Sequence, residues 1–363
     1  MKAPLVAPVV ILFAAAAALA APPPLPAPHA HGITLVSWSQ VNPFEGAGVP
    51  RLIDATIRTP AIFRPGARPS ISPVVRTIKV RILLPANYQT SPAPPYPVLY
   101  LLHGGAGTYT SWTNDGRIKD VVAGSPFRGI VVMPEGGLAG WYGDWAGQTD
   151  GQFWPEWETF HVRQLVPWID ANFNTIRSRT GRAVAGLSMG GTGALLYAGR
   201  FSDVFGAVGS FSGGTDITEP GAQQIVADSM WQAGAAIGFD GLLDGKYRVT
   251  CDTLCRVRTV FGPEGPNGRW DQKNPYQLAP VYRAYDGRMA IYAGGQPSGE
   301  TDIGGWNAKF HTRLNQVGVV HRYCAGSGSH SWSYWREDLK DFLRYVYGTP
   351  SATCPNGWGA PRP

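Results

Sequence analysis

Gly186-Leu187-Ser188-Met189-Gly190 is the one Gly-x-Ser-x-Gly run in the chain. It follows a short apolar run, Ala183–Leu187, and precedes a stretch of helical spacing, Met189 to about Phe201. The serine therefore stands at a strand–turn–helix corner. Such a corner strains the backbone and leaves room only for glycine beside it, but it lifts the hydroxyl clear of the sheet. The helix that follows directs free N–H groups at the point where negative charge would develop. A hydroxyl presented this way suits acyl transfer through a covalent acyl-enzyme.

The serine needs a base to take its proton. On corners of this kind the chain order is serine, acid, histidine. Three histidines follow Ser188. His311 falls in a helical stretch and His321 in a strand, whereas His330 lies in the loop Gly326-Ser327-Gly328-Ser329-His330-Ser331-Trp332, so His330 is the candidate base. The acid is expected after the strand Met289–Ala293, where the chain reads Gly294-Gly295-Gln296-Pro297-Ser298-Gly299-Glu300-Thr301-Asp302. Glu300 is the first choice to orient His330 and Asp302 the second, the other serving as a helix cap.

An oxyanion needs two donors. The Met189 N–H is one, and the apolar strand Val98–Leu102 ends in His103-Gly104-Gly105-Ala106-Gly107, which offers the Gly105 N–H as the other. His103 and Gly104 would then border the substrate. Trp112, Trp141, Trp145, Trp332 and Trp335 are candidates to line an apolar acyl groove. Neither glycine turn carries the lysine of a phosphate cradle.

Elements must hold these residues in place. Strands are predicted over Val75–Leu84, Val98–Leu102, Ile130–Met133, Ala183–Leu187, Ala207–Phe211, Met289–Ala293 and Val319–Cys324. Helices are predicted over Trp157–Phe173, Met189–Phe201, Asn307–Val317 and Tyr334–Tyr345. Strands alternating with helices imply an α/β domain with a mostly parallel, doubly wound sheet. One domain is expected over residues 41–350, with an irregular insertion around 215–280 and a C-terminal tail at 351–363. Residues 21–40 begin Ala-Pro-Pro-Pro-Leu-Pro-Ala-Pro and read as an extended tether.

Lys2, the apolar run Leu5 to Ala20 and the small residues Ala18-Leu19-Ala20-Ala21 read as a secretory signal peptide over 1–20. Export gives the cysteines meaning, since disulfides persist outside the cytosol. Three pairings are open; in the one expected, Cys251 with Cys255 closes a small loop and Cys324 with Cys354 staples the tail to the domain. Zinc is disfavoured because no histidine stands at ligand spacing around the first pair. The net charge of +6 is spread singly along 363 residues, which argues against nucleic acid and leaves attraction to an anionic cell envelope open.

From about Val75 to Tyr347 the chain resembles the esterase branch of the α/β-hydrolases, and within it the antigen 85 mycolyltransferases. The likeness rests on Leu101-Leu102-His103-Gly104, on Trp141 to Trp145 (Trp-Tyr-Gly-Asp-Trp), on Trp157-Glu158-Thr159-Phe160, on Gly186 to Gly190, and on Gly328-Ser329-His330-Ser331-Trp332-Ser333-Tyr334-Trp335. Asn274-Pro275 and Asp302-Ile303-Gly304-Gly305 add to it. The resemblance implies an α/β-hydrolase fold, secretion, acyl-ester chemistry and no cofactor. Two departures stand out. Mycolyltransferases carry Asp-Gly-Leu-Arg where this chain has His103-Gly104-Gly105-Ala106, and the helical position of their catalytic glutamate falls here on Thr312. Three functions follow in order: a secreted carboxylesterase acting on acyl-ester or lipid substrates, an acyltransferase to a sugar or lipid hydroxyl, and a non-catalytic envelope-binding protein.

Overall fold

The computed structural model describes residues 25, 27–41, 51–62, 68–69, 77–86, 88–89, 93–146, 152–153, 155–235, 257–258, 260–263, 269–295 and 300–362. The expected signal segment, the Cys251 and Cys255 pair and the loop 296–299 lie outside the described residues.

Among the described residues twelve strands run in chain order: β1 (His29–Ala30), β2 (Ile33–Gln40), β3 (Leu52–Arg58), β4 (Arg68–Pro69), β5 (Ile78–Leu83), β6 (Val98–Leu102), β7 (Ile130–Pro134), β8 (Gln152–Phe153), β9 (Arg182–Leu187), β10 (Ala207–Phe211), β11 (Met289–Gly294) and β12 (Arg322–Gly326). Ten of them form one sheet in the order β1-β2-β3-β5-β7-β6-β9-β10-β11-β12, and β4 pairs with β8 apart from it. From β7 to β12 every neighbour is parallel. From β1 to β7 the pairing is antiparallel. The mostly parallel, doubly wound sheet expected from the alternation is present. The order reverses between β6 and β9, and the crevice outside the carboxyl ends of strands at such a reversal is where open α/β sheets take ligands.

Strands β6 and β7 at the centre of the sheet are apolar at every position because helices cover both faces. Val98, Tyr100 and Leu102 of β6 point into one core and Leu99 and Leu101 into the other. The first core includes Ala194, Leu195 and Ala198 of α4 (Met189–Arg200) and Phe310 and Leu314 of α7 (Glu300–Gln316). The second includes Trp112 of α1 (Ser111–Asn114), Ile118 and Val121 of α2 (Ile118–Ala123), and Trp335, Leu339, Phe342 and Leu343 of α8 (Trp332–Tyr347). Those four α8 residues recur at i, i+4, i+7 and i+8, one helical face. Phe342 lies flat against Gly209 of β10, where an added Cβ would meet its ring at 3.0 Å. Removing that ring would cost about 3–5 kcal/mol and release the helix that follows the His330 loop.

Several expectations need correction. Residues 33–40 join the sheet as β2 because Ile33 is buried and the strand pairs along β3. The segment around 215–280 is not irregular throughout, since its described residues include α5 (Pro220–Ala235) and α6 (Arg269–Lys273). The strand expected from Val319 starts at Arg322, since Gly318 has φ 73° and closes a turn in which the Val319 N–H reaches Leu314 O at 2.9 Å. The helix expected over Trp157–Phe173 is a π-helical turn, Thr159–Leu165, running into α3 (Val166–Asn172). Most consequential, α7 begins at Glu300 rather than Asn307. Gly304, which reads as loop in sequence, lets this helix come so close that a Cβ on it would stand 2.5 Å from Gly294 O.

Candidate active site

Ser188 follows β9 and caps α4 with φ 52° and ψ −121°. A side chain held there costs about 1–3 kcal/mol, so the surroundings must fix it. They do so through three hydrogen bonds: the Ser188 N–H donates to Phe211 O at 2.8 Å, and Ser188 O accepts from the Gly191 and Thr192 N–H groups at 2.9 and 3.1 Å. The flanking glycines are required by contact. A Cβ on Gly186 would meet Gly190 O at 2.3 Å, and one on Gly190 would meet His103 O at 2.5 Å.

His330 comes from the loop after β12. Its Nε2 lies 2.9 Å from Ser188 Oγ, 142 positions earlier in the chain, and its Nδ1 lies 2.7 Å from Glu300 Oε1. A carboxylate only accepts, so Nδ1 carries the proton and Nε2 accepts from the serine hydroxyl. Glu300 is fully buried, while the imidazole is 30% exposed. The Trp335 ring stands edge-on to His330 at 4.8 Å and fixes its tilt. Asp302, the second choice of acid, is exposed on the first turn of α7. Thr312 is exposed too, its hydroxyl turned back to Ala308 O at 3.1 Å. The carboxylate beside His330 thus comes from the first residue of α7, about 18 Å along the helix from Thr312.

Gly104 packs against the serine corner, where an added Cβ would meet Leu187 Cδ1 at 2.6 Å and Ser188 Cβ at 3.4 Å. Gly105 is exposed beyond it. Met189 opens α4, so its N–H is among the donors a helix leaves without an internal acceptor. His103 does not border the substrate as expected. It is buried, its Nε2 accepts from the Gly136 N–H at 2.9 Å, and its Nδ1–H donates to Gly104 O at 2.8 Å. Both nitrogens are spent on holding the glycine loop to the end of β7.

The tryptophans divide. Trp332 and Trp335 stand beside His330, packed edge-on at 5.4 Å. Trp112, 1% exposed, lies behind Trp332 and donates its indole N–H to Leu102 O at 2.9 Å. Trp141 and Trp145 are core residues, with their N–H groups on Ser229 Oγ at 3.0 Å and Gly140 O at 2.8 Å. For these three, burial replaces the expected groove lining.

A buried polar chain braces the glycine loop, and no spacing in the sequence marks it as a unit. The Tyr142 hydroxyl donates to His103 O at 2.8 Å, and Glu135 accepts from the Gly137 N–H at 3.0 Å and the Tyr109 N–H at 3.2 Å. His161 donates from Nε2 to Glu135 O at 2.8 Å, and its Nδ1 accepts from the Tyr197 hydroxyl at 2.7 Å. Complete burial pushes the His161 pKa down to about 3, so it is a neutral strut. Of its members, Tyr142, inside the Trp141–Trp145 motif, and His103, in the His103-Gly104-Gly105 turn, carry a signal in the sequence.

The family described as "Putative esterase" matches residues 72–346. Esterase Rv1288 of Mycobacterium tuberculosis is 35% identical over 261 residues, covering 69% of this chain and 52% of that protein. The chain thus spans about half the length of that relative. Diacylglycerol acyltransferase/mycolyltransferase Ag85B of Mycolicibacterium smegmatis is 29% identical over 293 residues, 71% of this chain and 83% of that one. The crystal structure of the S-formylglutathione hydrolase of Staphylococcus aureus shares the fold at a TM-score of 0.56 and 19% identity, covering 82% of this chain and 98% of that one. With an α/β-hydrolase sheet and a family match from residue 72 to residue 346, this chain belongs to that esterase family.

Proposed function

We propose that the chain is a secreted serine carboxylesterase whose catalytic residues are Ser188, His330 and Glu300. The observation that carries this reading is the unbroken hydrogen-bond chain from Ser188 Oγ through His330 to a sealed Glu300. Ser188 Oγ attacks the ester carbonyl as His330 Nε2 takes its proton. The Gly105 and Met189 N–H groups hold the oxyanion, a stabilisation worth about 10²–10³ in rate per donor. His330 passes the proton to the departing alcohol, and a water activated by the same nitrogen cleaves the acyl-enzyme to acid and free serine. Glu300 keeps the tautomer and offsets the imidazolium charge. The N-terminal segment 1–20 and the Cys324–Cys354 disulfide support export.

Ser188→Ala is expected to abolish both hydrolysis of short p-nitrophenyl esters and labelling by a fluorophosphonate. Wild-type protein that neither hydrolyses nor labels sinks the proposal. A second reading, acyl transfer to a sugar or lipid hydroxyl, is favoured by the Ag85B likeness and uses the same acyl-enzyme. Product analysis with an acceptor in excess separates the two, water as sole acceptor ruling out the transferase.

A further inference from the structure

The residues after 346 lie beyond the family match, yet they fold back onto the loop that carries His330. The Cys324–Cys354 disulfide ties the tail to β12. Arg322, buried in a two-pronged pair with Asp341 of α8, donates to Ser351 O at 3.1 Å and Thr353 O at 2.9 Å. Asn356 donates to the fully buried Asp338 at 2.8 Å, and the Arg362 N–H pairs with Tyr323 O at 2.9 Å. The tail is thereby held at four separate points.

Between these anchors stands Trp358. Its indole N–H donates to Ser327 O at 2.7 Å, and its ring stacks on Tyr334 of α8 at 6.0 Å and 14°. The ring also covers the loop glycines. A Cβ on Gly326 would meet Trp358 Cδ1 at 2.3 Å, and one on Gly328 would meet Trp358 Cζ2 at 3.0 Å. On the inner side, a Cβ on Gly294 would meet Gly328 O at 2.7 Å, and Gly304 of α7 presses on Gly294 O in turn. Trp358, the loop, the end of β11 and the start of α7 are thus layered without slack. His330 leaves the loop two residues after Gly328, and Glu300 stands one turn before Gly304.

The geometry points to Trp358 as a positioning residue for His330: the disulfide-anchored tail is the outer wall that presses the loop inward and sets the contact of His330 with Glu300 and Ser188. This inference rests on the esterase reading for its kinetic consequence, but its structural part is measurable without turnover. Dense packing transmits displacement, and a misplacement of about 1 Å in a reacting group can cost about 10²-fold in rate.

The test compares Trp358→Ala, Trp358→Phe and Cys354→Ser in the full chain, using p-nitrophenyl ester kinetics and the downfield Nδ1–H proton NMR signal of His330. Trp358→Ala is expected to lower kcat about tenfold with KM changed less than about twofold, and to broaden the His330 signal by exchange with water. Trp358→Phe keeps a ring over Gly326 and Gly328 and is expected to recover most of both. Cys354→Ser should behave as Trp358→Ala does. Wild-type kcat and an intact signal in folded Trp358→Ala overturn the inference; should that variant fail to fold, unchanged kcat and signal in Cys354→Ser do so. A wild-type protein without esterase activity defeats the functional reading, and the NMR comparison then decides the positioning role alone.

Discussion

Glu300 Oε1 and His330 Nδ1 meet at 2.7 Å although one residue opens a helix and the other sits in a glycine–serine loop thirty positions later. The carboxylate is sealed and the imidazole is not, so the charge that balances a protonated His330 is kept from water. An ion pair shielded on one side is weakened little by solvent.

Glu300→Gln is expected to lower kcat for ester hydrolysis by about 10³–10⁴-fold, because an amide nitrogen facing Nδ1 would favour the tautomer that protonates Nε2. Asp302→Asn, on the exposed side of the same turn, should stay near wild-type. Equal, near-wild-type rates in the two variants would show that the acid lies elsewhere.

Gly304→Leu should pull α7 away from β11, since its first side-chain atom would stand 2.5 Å from Gly294 O. The expected result is a fall in kcat of at least about tenfold with the fold retained, from displacement of Glu300. Far-ultraviolet circular dichroism and ester kinetics on the same sample check it; an undiminished kcat would mean that α7 can retreat without moving its first residue.

Tyr142→Phe removes the donor to His103 O and leaves that buried carbonyl unsatisfied. Stability should drop by about 1–3 kcal/mol in urea unfolding. A decrease in kcat of about tenfold should accompany it as the Gly104–Gly105 loop loosens. Loss of stability with full activity would separate the brace from the oxyanion donors.

His161 is held neutral by burial, with its pKa lowered to about 3 from the ordinary 6.5. The unfolded chain therefore binds the extra proton between those values, so this histidine makes stability fall as pH drops from about 6.5 towards 3, by at most about 1.4 kcal/mol per pH unit. His311 and His321 act in the same sense. Burial lowers both, His311 to about 4, and they share a hydrogen bond of 2.8 Å. Melting temperatures measured from pH 7 to pH 4 should decline, and His161→Gln should flatten the slope if the variant folds; an unchanged slope would shift the cause to other groups.

The serine and the histidine were legible because each sits where a local pattern changes: an apolar run breaking into Gly-Leu-Ser-Met-Gly, and a polar Gly-Ser stretch between a strand and an amphipathic helix. Glu300 was legible by type but not by setting. Two glycines at 304 and 305 read as loop, and only the closeness of Gly294 explains why one is needed inside a helix. The tryptophans show the opposite failure. Their size announces burial, yet nothing in a one-dimensional pattern says which of them back the site and which lie beneath the sheet. The polar chain through Glu135, His103, His161 and Tyr197 has no periodicity at all, and prolines up to Pro28 hid the short alternation that makes β2.

The chain leaves the sheet at Phe211, whose carbonyl holds the Ser188 N–H, and returns at Met289 in the strand alongside. Everything from 212 to 288 is therefore spliced between two ends that the sheet register already fixes. A change of length or composition there leaves in place the register of β9, β10, β11 and β12, from whose ends the segments holding Ser188, Glu300 and His330 follow. A loop graft between relatives confined to this segment is therefore expected to preserve the contacts of His330 with Ser188 and Glu300.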